Sequence, residues 1–505
     1  MKNLMKKENK NILLLYPEYS KTFWSFEYVM KILGRKAAYP PLGLLTIASM
    51  LPENWDKKLV DLNTEKLDSQ DLEWADYVLI SGMIVQKESA LKIMEMARQA
   101  GKPVICGGPL FTTGIVDASL VDHLFLGEAE ETIDGFVRDV CQNTLKKVYK
   151  ADNYPDIENT PVPDWKLINI FNYHSMSLQY SRGCPFNCEF CDVVVLNGRT
   201  PRTKTKEQVI SELDKLFDMG WRGSLFFVDD NLIGNKSKLK NMILPAIIEW
   251  QKSKRYPFNF NTQVSINLSD DEELMKLMVD AGFSMVFVGI ETPDEISLEE
   301  CSKFHNKDRD LVGSVKKLQN SGLEVQGGFI VGFDSDTPTI FQRQIDFIQK
   351  SGIVTAMVGL LTALPETKLY KRLSDSNRII KESSANNTSF SSMNFKPIME
   401  MKTLFTGHKR ILDTIYSPRD YYERIRIFIR EFKPPKRKVF RIRIQKFQVR
   451  ALLGSMWLLG IKSSSRKYFW LLLLWVSVKY PGLIPYAISY SLAGLHLRSL
   501  SDQDI

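Results

Sequence analysis

Histidine and cysteine are the scarce residues of this chain: five and six, respectively, in 505 positions. So few cysteines exclude a disulfide framework at this length. The strongest apolar run, Tyr468–Val478, stops short of the roughly twenty residues that a membrane-crossing helix needs, and Pro481 and Pro485 follow it. At the N-terminus, the Lys-rich stretch 1–10 leads into the apolar run Ile12–Leu15. That run is too short for a signal peptide and reads as a first strand. What remains is an ordinary globular balance, 44% hydrophobic and 25% charged, with ample material for a core. The length suggests about two to four domains. The net charge of +8 is modest, and its location matters more than its size.

Half of the cysteines fall in one stretch, Ser181-Arg182-Gly183-Cys184-Pro185-Phe186-Asn187-Cys188-Glu189-Phe190-Cys191. Thiolate sulfur is soft, and iron–sulfur clusters are held mainly by such ligands, usually four of them. Three cysteines would leave one iron of a four-iron cluster open to an outside ligand. The competing reading is zinc. A structural zinc site wants four ligands and often paired C-x2-C motifs. Here there is one such pair, with no histidine in the loop. An oxygen-sensitive cluster would call for a reducing cytoplasm.

The spacing C-x3-C-x2-C after a short strand, Ser177–Ser181, resembles the signature of the radical S-adenosylmethionine (SAM) enzymes. The resemblance implies a 4Fe-4S cluster on Cys184, Cys188 and Cys191, with SAM on the open iron. Phe190 matches the family's usual aromatic before the last cysteine.

Upstream of this motif, Asn11–Tyr16, Leu59–Leu62, Tyr77–Ile80, Pro103–Cys106 and Val121–Leu126 read as strands, with a helix over Glu88–Ala100. A second helix opens at Tyr39-Pro40-Pro41-Leu42-Gly43-Leu44, with proline near its start. Strands alternating with helices predict a doubly wound parallel sheet, which binds ligands at the carboxyl ends of its strands. Ser81-Gly82-Met83, Gly107-Gly108 and Gly127-Glu128-Ala129-Glu130 fall at those ends. By themselves the glycines could equally be tight turns. Together with Asp61-Leu62-Asn63, their order is similar to that of the cobalamin-binding domain of the class B radical SAM methyltransferases. That resemblance implies cobalamin contacts at Ser81, Gly82, Gly107 and Gly108. The D-x-H-x-x-G motif of many cobalamin proteins is missing: His123 follows Asp122 but precedes Leu124 and reads as structural. Cys106 reads as a small buried hydrophobe.

Prolines 155, 161 and 163 mark a linker, and beyond it strand–helix alternation resumes. Strands are expected at Ser177–Ser181, Ser224–Val228, Phe258–Ile266, Met285–Ile290, Glu324–Val331 and Thr355–Thr362. Helices are expected at Thr205–Met219, Leu239–Lys252, Asp270–Ala281, Asp308–Ser321 and Thr337–Lys350. Six such units resemble the partial (βα)6 barrel of radical SAM enzymes, whose active face is at the strand carboxyl ends. Asp229, Asp230, Glu291, Gly332 and Asp334 lie there, with Gly328 inside the fifth strand. The resemblance implies that Asp229 or Asp230 and Glu291 face SAM, and that Gly328 and Gly332 let its adenosine lie close. The competing reading is that these carboxylates cap the following helices. Cys301 and His305, one helical turn apart, read as part of an exposed Lys-flanked segment rather than a metal pair.

After residue 365 the pattern turns helical, with a loop over Lys381–Met393 and a strongly basic stretch over Arg424–Arg450. Cations and tryptophans around Tyr468–Val478 suit a buried core helix or a membrane-interfacial segment. The basic face could meet anionic lipid or be a solvated surface; nucleic acid is not expected.

The expected organisation is therefore α/β. It comprises a Rossmann-like cobalamin domain (1–145), a linker (146–174), a radical SAM barrel (175–365) and a mainly helical C-terminal domain (366–505). This plan resembles that of the hopanoid C-2 methylase group and, more generally, the bacteriochlorophyllide C-methyltransferases. The resemblance implies methylation of an unactivated carbon of a hopanoid-, lipid- or tetrapyrrole-like substrate. A 5′-deoxyadenosyl radical would abstract hydrogen, cobalamin would deliver the methyl group, and a second SAM would restore it. An external flavodoxin- or ferredoxin-like donor and peripheral contact with the inner membrane face would follow. The alternatives are a radical SAM oxidoreductase or cyclase of tetrapyrrole chemistry, and a non-enzymatic cobalamin or metal sensor.

Overall fold

The computed structural model describes residues 9–20, 22–23, 30, 33–386, 393–435, 454 and 456–501. Its first sheet holds six parallel strands: β1 (Asn11–Tyr16), β2 (Asp56–Asp61), β3 (Tyr77–Ser81), β4 (Val104–Gly107), β5 (His123–Leu126) and β6 (Val148–Lys150). They lie in the order β2-β1-β3-β4-β5-β6. The apolar run at β1 explains its interior place between β2 and β3. Ile12 and Leu14 enter one core and Leu13 and Leu15 the other, because side chains alternate along a strand. Such two-faced burial is the habit of parallel sheets with helices on both sides. The helix Lys87–Gln99 contributes Ala90, Ile93, Met94 and Ala97, one stripe at helical spacing.

β6 lies in the stretch expected to be a linker, so the sheet runs past residue 145. The rest of that stretch is packed as well. Its prolines suppress regular elements but not burial: Trp165 and Tyr173 are fully enclosed, and three short 3-10 turns carry the chain across.

The second sheet is built from β7 (Ser175–Leu178), β10 (Gly223–Phe227), β11 (Phe258–Val264), β12 (Phe283–Glu291), β13 (Glu324–Val331) and β14 (Ala356–Leu360). All are parallel, in the order β14-β13-β12-β11-β10-β7, so the two ends do not pair and the barrel is partial. The single strand expected at Ser177–Ser181 is split. Ser175–Leu178 stays in the barrel, and Ser181–Arg182 (β8) forms a separate antiparallel ribbon with Arg202–Thr203 (β9). Two helices also start later than expected, because Asp271 and Asp310 act as caps: their side chains accept from Leu274 N–H and Gly313 N–H.

The C-terminal region adds helices Lys368–Asp375, Met401–Ile415, Pro418–Glu431, Arg466–Lys479 and Ile484–Ser501. Arg424, read from the sequence as the start of a basic surface, is fully buried. Its guanidinium donates to the Ile415 carbonyl at 2.8 Å and the Val354 carbonyl at 3.2 Å. Residues 436–450 of that basic stretch, and 387–392 of the expected loop, lie outside the described residues. Among the described residues, no helix is long and apolar enough to cross a membrane.

Candidate functional site

A cavity of 1320 Å³ opens between the carboxyl ends of the first sheet and the mouth of the barrel. The order of the first sheet reverses between β1 and β3, the place where doubly wound sheets bind their ligands. Ser81, Gly107 and Gly108 line it from this side, with Gly127 and Glu128. From the barrel side come Phe226, Asp230, Gln263, Phe287 and Gln326. Gly108 has φ +87°, and a Cβ there would stand 2.5 Å from Ser81 Oγ. The glycine pair therefore keeps the Ser81 hydroxyl clear. Gly82 does not reach the cavity. It is buried in the turn, where its carbonyl accepts from Leu110 N–H.

Two features of the wall fit a large polar-edged ligand such as a corrinoid. Asn261 Oδ1, on the wall, is buried without a hydrogen-bond partner and waits for a donor. The small residues at the strand ends allow close approach of a flat group. None of the five histidines lines the cavity. His123 is engaged elsewhere, its Nδ1–H donating to the Lys146 carbonyl at 2.6 Å.

Arg182, Asp192 and Asn197, on either side of the cysteines, form part of the same wall, whereas Cys184, Cys188 and Cys191 themselves are not on it. Burial raises the thiols of Cys184, Cys188 and Cys191, and the three sulfurs lie within electrostatic reach of one another. The loop is arranged to oppose that cost. Cys184 accepts from Phe186 N–H and from the Asn231 side chain, Cys191 accepts from Val193 N–H, and the Lys303 ammonium stands near Cys188. Donors and a cation aimed at sulfur favour thiolates, as a cluster requires. Among the described residues, no group of three His, Cys, Asp or Glu is gathered closely enough for a single metal ion. A four-iron cluster instead puts each thiolate on its own iron.

The strand-end carboxylates separate into different roles. Asp229 is completely buried and accepts from Tyr180 N–H at 3.2 Å, Ser181 Oγ–H at 2.6 Å and Ser181 N–H. Burial pushes its carboxyl up to about 7 against those three donors. It fixes the exit from β7 and, of the two neighbouring aspartates expected near SAM, is the one absent from the cavity wall. Asp230 does line the cavity. Its Oδ2 accepts from Gly183 N–H at 3.0 Å and Asn197 Nδ2 at 2.9 Å, holding both sides of the cysteine loop.

Glu291 has φ +63°, and its carboxylate is paired with Lys303 at 2.5 Å, away from the cavity. Burial alone would lower the Lys303 ammonium, but Glu291 and the Cys188 thiol hold it above its ordinary value. Glu291 thus acts on the cluster loop through a lysine. Gly328 and Gly332 are also absent from the cavity wall. A Cβ at Gly328 would meet the Phe287 ring at 2.8 Å, and Gly332 N–H donates to Asp336. Phe190 packs toward Phe333, with ring centroids 6.4 Å apart. Cys301 is buried, and its carbonyl accepts from Glu189 N–H at 2.9 Å, whereas His305 stacks on Phe186. The two do not form a site together.

Two ion-pair groups were not foreseen from the sequence. Arg182 and Arg202 meet Glu128, and Arg182 also meets Glu130 at 2.7 Å, all four side chains being largely buried. They tie the end of β5 to the start of the cysteine loop. On the other flank, Arg372 pairs with Glu189 and Asp334, and Arg378 with Asp334. The only hint in the sequence was position: Arg182 and Glu189 adjoin the cysteines.

The Radical SAM superfamily model matches residues 178–348, and a domain of unknown function, DUF4070, matches residues 367–504. An uncharacterized methyltransferase of Synechocystis is 41% identical over 91% of this chain and 86% of its own length. The hopanoid C-2 methylase of Rhodopseudomonas palustris is 36% identical, covering 74% of this chain and 72% of its own. Among solved structures, the cobalamin-dependent SAM radical enzyme OxsB aligns with a TM-score of 0.64 at 14% identity, covering 98% of this chain and 80% of that one. The radical SAM methyltransferase TsrM of Kitasatospora setae gives 0.59 at 14% identity, over 74% and 80%. These two share its fold. On the strength of the sequence relatives and of the Radical SAM match over the cysteine loop, this chain belongs to the radical SAM methyltransferase family that includes the hopanoid C-2 methylase.

Proposed function

We propose that this enzyme methylates an unactivated carbon of an apolar, membrane-held substrate of hopanoid, lipid or tetrapyrrole type. The observation that carries the reading is the shared cavity. Arg182, Asp192 and Asn197, which flank the cysteines, and the first sheet's glycine turns face one space, beside apolar walls that include Leu42, Met50, Met285 and Met357. Cys184, Cys188 and Cys191 would hold the four-iron cluster, with SAM at its open iron. Ser81, Gly107 and Gly108 would hold cobalamin. When bound, the cluster supplies the electron that splits SAM into methionine and a 5′-deoxyadenosyl radical, and the cobalamin supplies the methyl group. The chain's own work is positioning. Asp230 ties the cysteine loop together, Lys303 favours the thiolates, and the enclosing walls keep water from the radical. Hydrogen abstraction by a radical needs no general base, in keeping with a cavity that no histidine lines. The electron would come from a flavodoxin- or ferredoxin-like donor at the inner face of the membrane.

The test uses anaerobically reconstituted protein, methyl-labelled SAM and separate lipid and pigment extracts. Label is expected in an apolar product, together with 5′-deoxyadenosine. Cleavage of SAM with ring closure or oxidation of the extract, and no labelled product, would overturn the assignment. Cys188→Ala is expected to abolish both iron binding and SAM cleavage.

A further inference from the structure

The charge of this chain is unevenly placed. Residues 432–501 contain thirteen of the 67 Lys and Arg and no Asp or Glu. The other 435 residues carry 54 basic and all 59 acidic side chains, a net of −5. The whole excess of positive charge therefore belongs to these seventy residues.

The same region carries the most concentrated exposed apolar surface. Eighteen large hydrophobic side chains are exposed among the described residues, and six of them fall between 457 and 478. Four of the six sit on the helix Arg466–Lys479: Trp470, Leu471, Leu474 and Val478, with Leu474 and Val478 66% and 74% exposed. At 3.6 residues per turn they share an arc of about 100°. The opposite side, Phe469, Leu472 and Val476, is buried against the rest of the domain. The helix is thus apolar on two sides, and the described residues cover only one. The turn Leu458–Lys462 extends the open side. Trp470 Nε1–H donates to the Gly460 carbonyl at 3.0 Å, and Trp457 and Ile461 flank that contact, both exposed.

Exposed cations border this face: Lys462, Arg466 and Lys467 at one end and Lys479 at the other. None of the four has an ion pair with another described residue. The helix is about 21 Å long, too short to cross a bilayer. An apolar arc with tryptophan and cations at its borders is suited to lie in the plane of the headgroups. Anionic lipid would complement the acid-free charge. The neighbouring helix Ile484–Ser501 continues to the cavity: His496 Nε2–H donates to the carbonyl of Phe23, a residue of the cavity wall, at 3.2 Å.

We propose that the open face of Arg466–Lys479, with Trp457 and Ile461, docks in the surface of an anionic lipid bilayer and holds the cavity beside it. The proposal deepens the reading that the substrate is membrane-held, and it can be tested apart from that reading.

The full chain is sedimented with vesicles of phosphatidylcholine alone or with added phosphatidylglycerol. It is expected to pellet with the anionic vesicles roughly tenfold more than with the neutral ones, and to be released by salt. L474D and V478D are expected to cut the bound fraction about tenfold while keeping iron content and SAM cleavage. K467Q with K479Q is expected to weaken mainly the salt-sensitive part. Failure of the unsubstituted chain to bind anionic vesicles would overturn the proposal, as would L474D and V478D that bind as well as it does. A dimer in light scattering that V478D dissociates would assign the face to a second copy instead. If vesicle binding fails while a detergent-dispersed lipid is still methylated, the docking surface falls and the function stands. If the chain binds vesicles but methylates no lipid, the docking surface stands and the function falls.

Discussion

Arg372 donates to both carboxylate oxygens of Glu189, from Nε at 2.6 Å and from Nη2 at 3.0 Å. Glu189 lies between the second and third cysteines, so a C-terminal helix grips the cluster loop by a bidentate, charge-assisted pair. Leu369 N–H adds a bond to the Glu189 carbonyl at 3.0 Å. Arg372→Met is expected to loosen the loop without unfolding the barrel. Iron content after gel filtration should fall, and the cluster should bleach several-fold faster in air. The pair is partly exposed, so the change in melting should be small, about 1 kcal/mol. Unchanged cluster lifetime would separate the C-terminal region from cluster retention.

On the other side of the loop, Glu128 receives both Arg182 and Arg202. In Glu128→Gln, Arg182 keeps Glu130, so the loss should stay below the roughly 3–5 kcal/mol of a broken buried pair. The expected signature is uncoupling: SAM cleavage persists while methyl transfer falls about tenfold, because a shift of about 1 Å between two cofactor sites is costly. A parallel loss of both activities would point to cluster damage instead.

The corrinoid contact proposed at Gly108 can be tested apart from the cluster. An alanine there takes a left-handed φ of +87° at a cost of about 1–2 kcal/mol and drives its Cβ into Ser81 Oγ. Gly108→Ala should lose the visible absorbance of bound cobalamin while the iron content stays at its ordinary level. Retention of both would remove the glycine turn from the corrinoid site.

Glu324 and Tyr490 connect the barrel to the last helix by a 2.7 Å hydrogen bond. Burial pushes the Glu324 carboxyl up to about 7 from 4.5. The folded state then binds this proton more tightly than the unfolded chain does. Its contribution is complete below pH 4.5 and is lost as pH rises through about 7. Glu324→Gln mimics the protonated form. It should melt like the unsubstituted protein at about pH 5 and later than it at about pH 8.5, by up to roughly 3 kcal/mol. A gain that is the same at both pH values would exclude this titration.

The corrections share one cause. Cys184, Cys188 and Cys191 were legible because their relation is confined to one loop and needs only spacing. Strands such as β1 were legible because burial on both faces demands an unbroken apolar run. Asp229 and Glu291 also stood where expected, at strand ends, yet position in the chain does not say where a carboxylate points. Asp229 turns to the Ser181 backbone, and Glu291 turns to Lys303, twelve residues on. Likewise, nothing local distinguishes a proline-rich linker from one that buries Trp165.

The sequence by itself determined which atoms can bind iron, and that two strand–helix units would present small residues at their ends. Tertiary structure alone decided that Glu128 meets Arg182, that Arg372 meets Glu189, and that one side of Arg466–Lys479 is left open. The two ion pairs join residues 54 and 183 positions apart, and the open face depends on what covers a helix. A charge or an apolar side chain acquires its role only when folding brings its neighbour within a few ångströms.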